Sequence, residues 1–123
     1  MKYLCLIYSD EKTLHSHPDS PEDDECFEYA RSLETSGRMM AAEPLESVQT
    51  ATTVRVRNGK VTLTDGPFAE TKEQLTGFYL IQARDLNEAL QVAAHIPVAR
   101  IGSIEVRPVR TLDLQDHALA AHQ

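Results

Sequence analysis

The residues best suited by type and spacing to do chemistry lie in Asp65-Gly66-Pro67-Phe68-Ala69-Glu70-Thr71-Lys72-Glu73, with His95 further along. A proline ring disfavours helical backbone in the residue before it, so Gly66 is driven to an extended or special conformation and the chain bends sharply. An aspartate opening such a turn ordinarily accepts the N–H two residues on; here that residue is Pro67, which has none. The carboxylate of Asp65 is left to the N–H groups of Phe68 or Ala69, the Thr71 hydroxyl, the Lys72 ammonium, or something outside the chain. Two uses follow: a general acid or base acting on a molecule in a cavity, or a cap for the loop that Asp65 begins. Phe68 is open to the same pair of readings, as a plug anchoring the loop or as a platform for a ligand. Lys72, between Glu70 and Glu73, is either solvated or folded back on Asp65 to orient an anionic or phenolic molecule. His95, near a helix end, is a proton shuttle or a partner of the helix dipole. Asp65 and His95 are therefore the candidate catalytic residues, and Phe68, Glu70 and Lys72 the candidate ligand contacts.

Other chemistries find little support. His15-Ser16-His17 could offer two imidazoles to a metal, but no acid-rich or cysteine partner stands at a defined spacing, and no metal or cofactor is expected. No GxSxG, Walker or GxGxxG signature is present. Cys5 and Cys26 lack CxxC spacing and read as buried structural thiols of a reducing compartment.

The chain that must position these groups has 123 residues, the length of one domain able to form a core without disulfides or metal. A net charge of -7 argues against wholesale phosphate neutralisation and against an anionic membrane surface, so neither nucleic acid nor membrane is an expected partner. The N-terminal apolar run is too short for a signal core or a span, and a cytoplasmic location is expected.

Tyr3 to Tyr8 is a continuous apolar run of strand length. Residues 10 to 20 read as a loop. Ser20-Pro21-Glu22-Asp23 predicts a helix start with Ser20 as cap, an inner stripe of Cys26, Phe27, Ala30 and Leu33, and Gly37 as the stop. Arg38 to Ser47 predicts a strand broken or bulged at Pro44. Asn58-Gly59 predicts a two-residue hairpin that sets Val56 opposite Val61, Val54 opposite Leu63, Arg57 opposite Lys60, Arg55 opposite Thr62 and Asp65 opposite Thr52. Thr76 to Ala83 is a largely buried strand. Asp85 and Glu88 open a second helix with the stripe Leu86, Ala89, Leu90, Ala93 and Ile96, stopped at Pro97. Ser103 to Val109 is a last strand, placed near an edge by Pro108. Residues 111 to 123 form a tail with a weak helical pattern through Leu112, Leu114, Ala118 and Leu119.

The order β-α-β-β-β-α-β is the split βαβ plan of a ferredoxin-like α+β sandwich with an added β-hairpin. Both helices cover one sheet face, yet the first strand and the Phe78 strand are apolar on both sides. An uncovered face of that character predicts a homodimer, two copies stacking sheet on sheet as a dimeric α/β barrel.

The run TDGPFAETKEQLTGFYLI, with MKYLCLIY at the start and ARIGSIEVRPV near the end, resembles the DGPF family within the YCII-related proteins, over about residues 1 to 110. The resemblance implies a ferredoxin-like fold and dimeric barrel assembly. Most members have no known reaction, and some are encoded beside extracytoplasmic-function sigma factors, which makes a sigma factor a partner implied by the family. A relative in the wider superfamily removes chloride from a chlorinated hydroxyhydroquinone. In that superfamily a histidine on the first helix and an aspartate before Pro-Tyr after the second have been proposed as an acid-base pair. Here the first helix has no histidine and the second is followed by His95-Ile96-Pro97, so that pair does not carry over. Two functional classes remain: a cofactor-free enzyme or binder of a small polar or aromatic molecule, and a non-catalytic dimeric module that regulates a transcription factor.

Overall fold

A computed structural model describes residues 1–14 and 16–112. The continuous apolar N-terminal run becomes strand β1 (Lys2–Ser9), followed by a single helical turn α1 (Glu11–Leu14), helix α2 (Asp23–Thr35) and strand β2 (Met39–Pro44). A 3-10 turn (Val48–Thr50) leads into β3 (Thr52–Arg57) and β4 (Lys60–Asp65); then come β5 (Gln74–Gln82), helix α3 (Leu86–Ala94), a second 3-10 turn (Pro97–Arg100) and β6 (Ser103–Pro108). Four strands form an antiparallel sheet in the order β2-β5-β1-β6, and β3-β4 form a separate two-stranded sheet. With the hairpin set aside, this is the ferredoxin-like order, central strands one and three flanked by two and four. Pro108 lies on the edge strand β6, where no ladder bond is lost. No described helix is long and apolar enough to cross a membrane.

Alternation on β1 sorts its residues to two faces. Tyr3, Cys5, Ile7 and Ser9 are buried beneath the helices, and Tyr79 and Ile81 of β5 join them. The Cys5 thiol is fully enclosed, and desolvation pushes it up to about 11 from an ordinary 9.0. Folded protein therefore keeps a proton that the unfolded chain has lost, so stability is complete below pH 9 and falls as pH rises towards 11. Urea titrations at pH 8 and pH 10.5 are expected to differ by about 2 kcal/mol through this group, and Cys5→Ala to flatten the dependence. Tyr79, raised by burial to about 12, adds in the same direction at higher pH.

The Asn-Gly hairpin forms in the predicted register at every pair named above, with Asn58 at φ 52° and Gly59 at φ 76°. Gly37, at φ 77°, closes α2 with a paired cap: its N–H donates to the Glu34 carbonyl (3.0 Å) and that of Arg38 to Leu33 (2.9 Å).

Four local expectations are corrected. The stretch 10–20 holds one helical turn rather than only loop. Helix α2 begins at Asp23, with Glu22 at the cap position, because Ser20 is spent elsewhere: its hydroxyl donates to the Leu14 carbonyl and its N–H to that of His17. Arg100 clamps that loop to the helix, reaching the Asp19 carbonyl and both Glu25 carboxylate oxygens (2.5 and 3.0 Å), which holds Glu25 below the usual carboxylate range. Phe27 is exposed, since α2 is rotated to bring Tyr29 inward, where its hydroxyl donates to the Val92 carbonyl (2.7 Å) and its ring stacks near Tyr79. On α3 the buried stripe is Ala89, Val92 and Ala93, with Ile96 buried just beyond the helix end, while Leu86 and Leu90 face outward. The small alanines let that side lie close to the sheet, which a count of hydrophobic residues does not reveal.

Candidate functional site

Asp65 ends β4 opposite Thr52, and the bend follows at once, with Gly66 at φ 100°. Only a residue without Cβ adopts that conformation freely. The bend is held by the backbone: the Gly66 N–H donates to the Ala51 carbonyl (2.7 Å) and the Thr53 hydroxyl donates to the Gly66 carbonyl (2.8 Å).

Side chains with no obvious chemistry hold the far end of the loop, Thr71 to Glu73. The Gln74 amide donates to the carbonyls of Thr71 (2.8 Å) and Lys72 (3.4 Å), while its oxygen accepts the Glu11 N–H (3.0 Å). The Glu11 carboxylate in turn accepts from the Ser47 hydroxyl and the Val48 N–H, both at 2.8 Å, which ties α1 to the root of the hairpin. Thr71 donates to the Glu73 carbonyl, and Ser103 donates to the Glu73 carboxylate (2.8 Å). Sequence reasoning overlooked Glu11, Gln74 and Ser103. Their partners lie far along the chain, so no local pattern marked them.

The candidate side chains are left unengaged among the described residues. Asp65, Phe68, Glu70 and Lys72 are all exposed, Phe68 at 79%. Among the described residues neither the Asp65 carboxylate nor the Lys72 ammonium makes a side-chain hydrogen bond or ion pair. Thus the structure gathers four candidates on one loop, with Lys72 not folded onto Asp65 and Phe68 not plugging the core.

His95 lies elsewhere. It caps the C-terminal end of α3, with Nδ1 2.8 Å from the Gln91 carbonyl, which makes that nitrogen the donor. It lines a cleft of about 320 Å³ between the helices with Tyr29, Ser32, Ser36, Arg38 and Gln91. Asp65 does not line that cleft, nor the cleft of about 450 Å³ formed by Leu14, His17, Pro18, Glu22, Asp23 and Asp24. His17 Nδ1 accepts the Asp19 N–H (3.0 Å). Among the described residues no three His, Cys, Asp or Glu side chains gather as a metal site; the pairing of His17 with His15, and the helical pattern of the tail beyond Leu112, fall outside those residues.

Comparison with known proteins finds a family, a sequence relative and a solved structure of similar fold. The YCII-related domain matches residues 1–113. An uncharacterised protein of Rhizobium meliloti (strain 1021) is 39% identical over 116 residues, covering 89% of this chain and 92% of that protein. Among solved structures, 5-chloro-2-hydroxyhydroquinone dehydrochlorinase from Burkholderia phenoliruptrix AC1100, in complex with 2,5-dihydroxybenzoquinone, aligns with a TM-score of 0.55 at 14% identity, over 91% of this chain and 96% of that one. At that identity the likeness is one of fold.

Proposed function

The chain belongs to the YCII-related domain family, and from that premise we propose that it is a cofactor-free enzyme or binder for a small polar or aromatic molecule, working as a homodimer at the Asp65–Phe68 loop. The observation that carries this reading is the division of labour within the loop. Thr53, Thr71, Gln74 and Ser103 spend their polar groups on its shape, and Asp65, Phe68, Glu70 and Lys72 spend none of their side-chain groups on it. A loop braced at both ends and unengaged in its reactive side chains is organised for recognition.

In this reading the Phe68 ring stacks on the ligand, Asp65 accepts a proton from a hydroxyl of that molecule, and Lys72 steadies the oxyanion left behind. A ligand carrying ring hydroxyls is supported by the fold's likeness to a protein that holds 2,5-dihydroxybenzoquinone. The homodimer is supported by the outer sheet face. Leu4, Leu6 and Tyr8 of β1 and Phe78 and Leu80 of β5 are half-buried there, while both helices of the sandwich lie on the opposite face.

A thermal-shift screen of small metabolites, weighted to hydroxylated aromatics, tests the proposal. A ligand near a hundredfold its Kd is expected to raise the wild-type melting temperature by about 10 °C. Asp65→Asn and Phe68→Ala should lose that shift while melting within about 2 °C of wild type when unliganded, as exposed side chains without partners do. Equal shifts in all three proteins would overturn the assignment, as would variants that melt far lower without ligand. His95→Gln in the same screen decides whether the cleft between the helices belongs to the site. A protein that no molecule shifts favours the competing reading, a non-catalytic module acting on a sigma factor.

A further inference from the structure

Among the described residues the β3-β4 hairpin is a two-stranded sheet of its own, joined by no third strand. Its register fixes which main-chain groups face outward. The two-residue Asn58-Gly59 loop makes Arg57 and Lys60 a hydrogen-bonded pair, and bonded and non-bonded pairs then alternate along the ladder. The bond from the Gly66 N–H to the Ala51 carbonyl has the same phase. Val54 and Val56 therefore turn their N–H and C=O groups away from β4. Among the described residues only the Val56 carbonyl finds a partner there, the Arg57 guanidinium of the same strand (3.0 Å). Side chains sort strictly by face. Val54, Val56, Val61 and Leu63 lie on one side, 59%, 56%, 67% and 67% exposed, and Arg55, Arg57 and Lys60 lie on the other with Thr53, Thr62 and Thr64. None of these cations enters an ion pair among the described residues, although the chain carries nineteen acids.

We propose that the β3 edge takes up an extended segment of another protein in which apolar and acidic residues alternate, adding a third strand to the hairpin. A strand is the occupant that meets both faces at once. Its residues opposite Val54 and Val56 fall on the apolar side, and those opposite Arg55 and Arg57 fall on the basic side. A helix, a lipid surface or a flat protein face laid on either side leaves the other unmatched. The addition also supplies what the hairpin lacks, since two strands alone are marginal in water whereas three with an apolar face hold. The edge of β3 suits an acidic strand better than that of β4, which offers Lys60 as its one cation. A second copy of this chain fits poorly. Antiparallel pairing of two β3 strands that sets Val56 against Val54 or Val56 of the other copy brings arginine opposite arginine, and like charges so placed destabilise. The inference stands whether or not the Asp65 loop takes a ligand.

A fluorescent synthetic peptide of about eight residues, alternating valine and glutamate, tests this by anisotropy against the full-length protein. Saturable binding is expected, weakening as salt is raised, with a valine-lysine peptide of equal length bound at least about tenfold more weakly. Main-chain pairing is read separately, on unaltered protein. Methylating the valine amides of the peptide removes the N–H groups that bond to β3 and should weaken binding about tenfold or more, whereas methylating the glutamate amides, which face away, should leave it unchanged. Arg55→Glu combined with Arg57→Glu should reverse the preference, so that the valine-lysine peptide binds better. Absence of saturable binding, equal binding of the two peptides, equal effects of the two methylation patterns, or an unaltered preference in the double variant would each overturn the proposal. So would binding that appears only when residues 113–123 are removed, since the edge would then belong to the chain's own tail. No small molecule enters these readouts, so their failure is separate from failure of the proposed site.

Discussion

Leu80→Arg is expected to turn the proposed homodimer into folded monomers. Leu80 stands on the outer face of β5, opposite Leu4 on one side and Ala41 on the other, with no acid directly across either neighbour to receive a guanidinium. In a sheet-on-sheet dimer this position lies deep in the interface, where an unpaired charge loses its water without compensation. The expected loss is on the order of a thousandfold or more in the association constant. Because the helix-facing residues of the same strand, Tyr79 and Ile81, are untouched, the far-ultraviolet circular dichroism should remain native. Sedimentation of wild type and variant across a concentration series is the measurement. A monomeric wild type, or a variant that keeps the wild-type mass, would remove the argument from the open face.

Gly102→Ala should destabilise the fold itself, by about 3 kcal/mol or on the order of 10 °C in melting temperature. A Cβ built on Gly102 meets the Tyr8 carbonyl oxygen at 2.2 Å and the Ser9 Cβ at 3.2 Å. Neither neighbour is the end of a flexible side chain. Tyr8 pairs with Ser103 at the start of β6, and Ser9 is fully buried with its hydroxyl 3.1 Å from that of Thr76. Relief of the clash must therefore separate β1 from β6 at the end of the sheet nearest the Glu73-Ser103 contact. Thermal melting checks this, and a variant within about 2 °C of wild type would contradict it. Loss of ligand response in this variant carries no information about the site; that question belongs to Asp65→Asn, whose side chain supports nothing.

What the sequence could say about the candidate site divides by distance along the chain. The bend at Gly66-Pro67 follows from proline chemistry and reappears in the structure. The supports of that bend do not, because Glu11 reaches Ser47 and Val48, and Ser103 reaches Glu73, across separations that leave no periodic trace. The two helices show the same limit at shorter range. Their apolar residues cover more than half a turn, so either Phe27 or Tyr29, and either Leu90 or Val92, satisfied the pattern. Packing against Tyr79 and the sheet chose Tyr29 and Val92.

Read by itself, the chain determined its elements, the hairpin register and the ferredoxin-like order, because a two-residue alternation, an Asn-Gly turn and a proline each restrict backbone locally and leave few ways to join the pieces. The folded molecule alone decided which way each amphipathic face turns. It left the hairpin's valines in water, kept the Asp65 and Lys72 side chains apart, and gave His95 a cleft of its own. Orientation of that kind is set by which surfaces remain after the core has closed, a competition among distant groups that no single stretch of sequence contains.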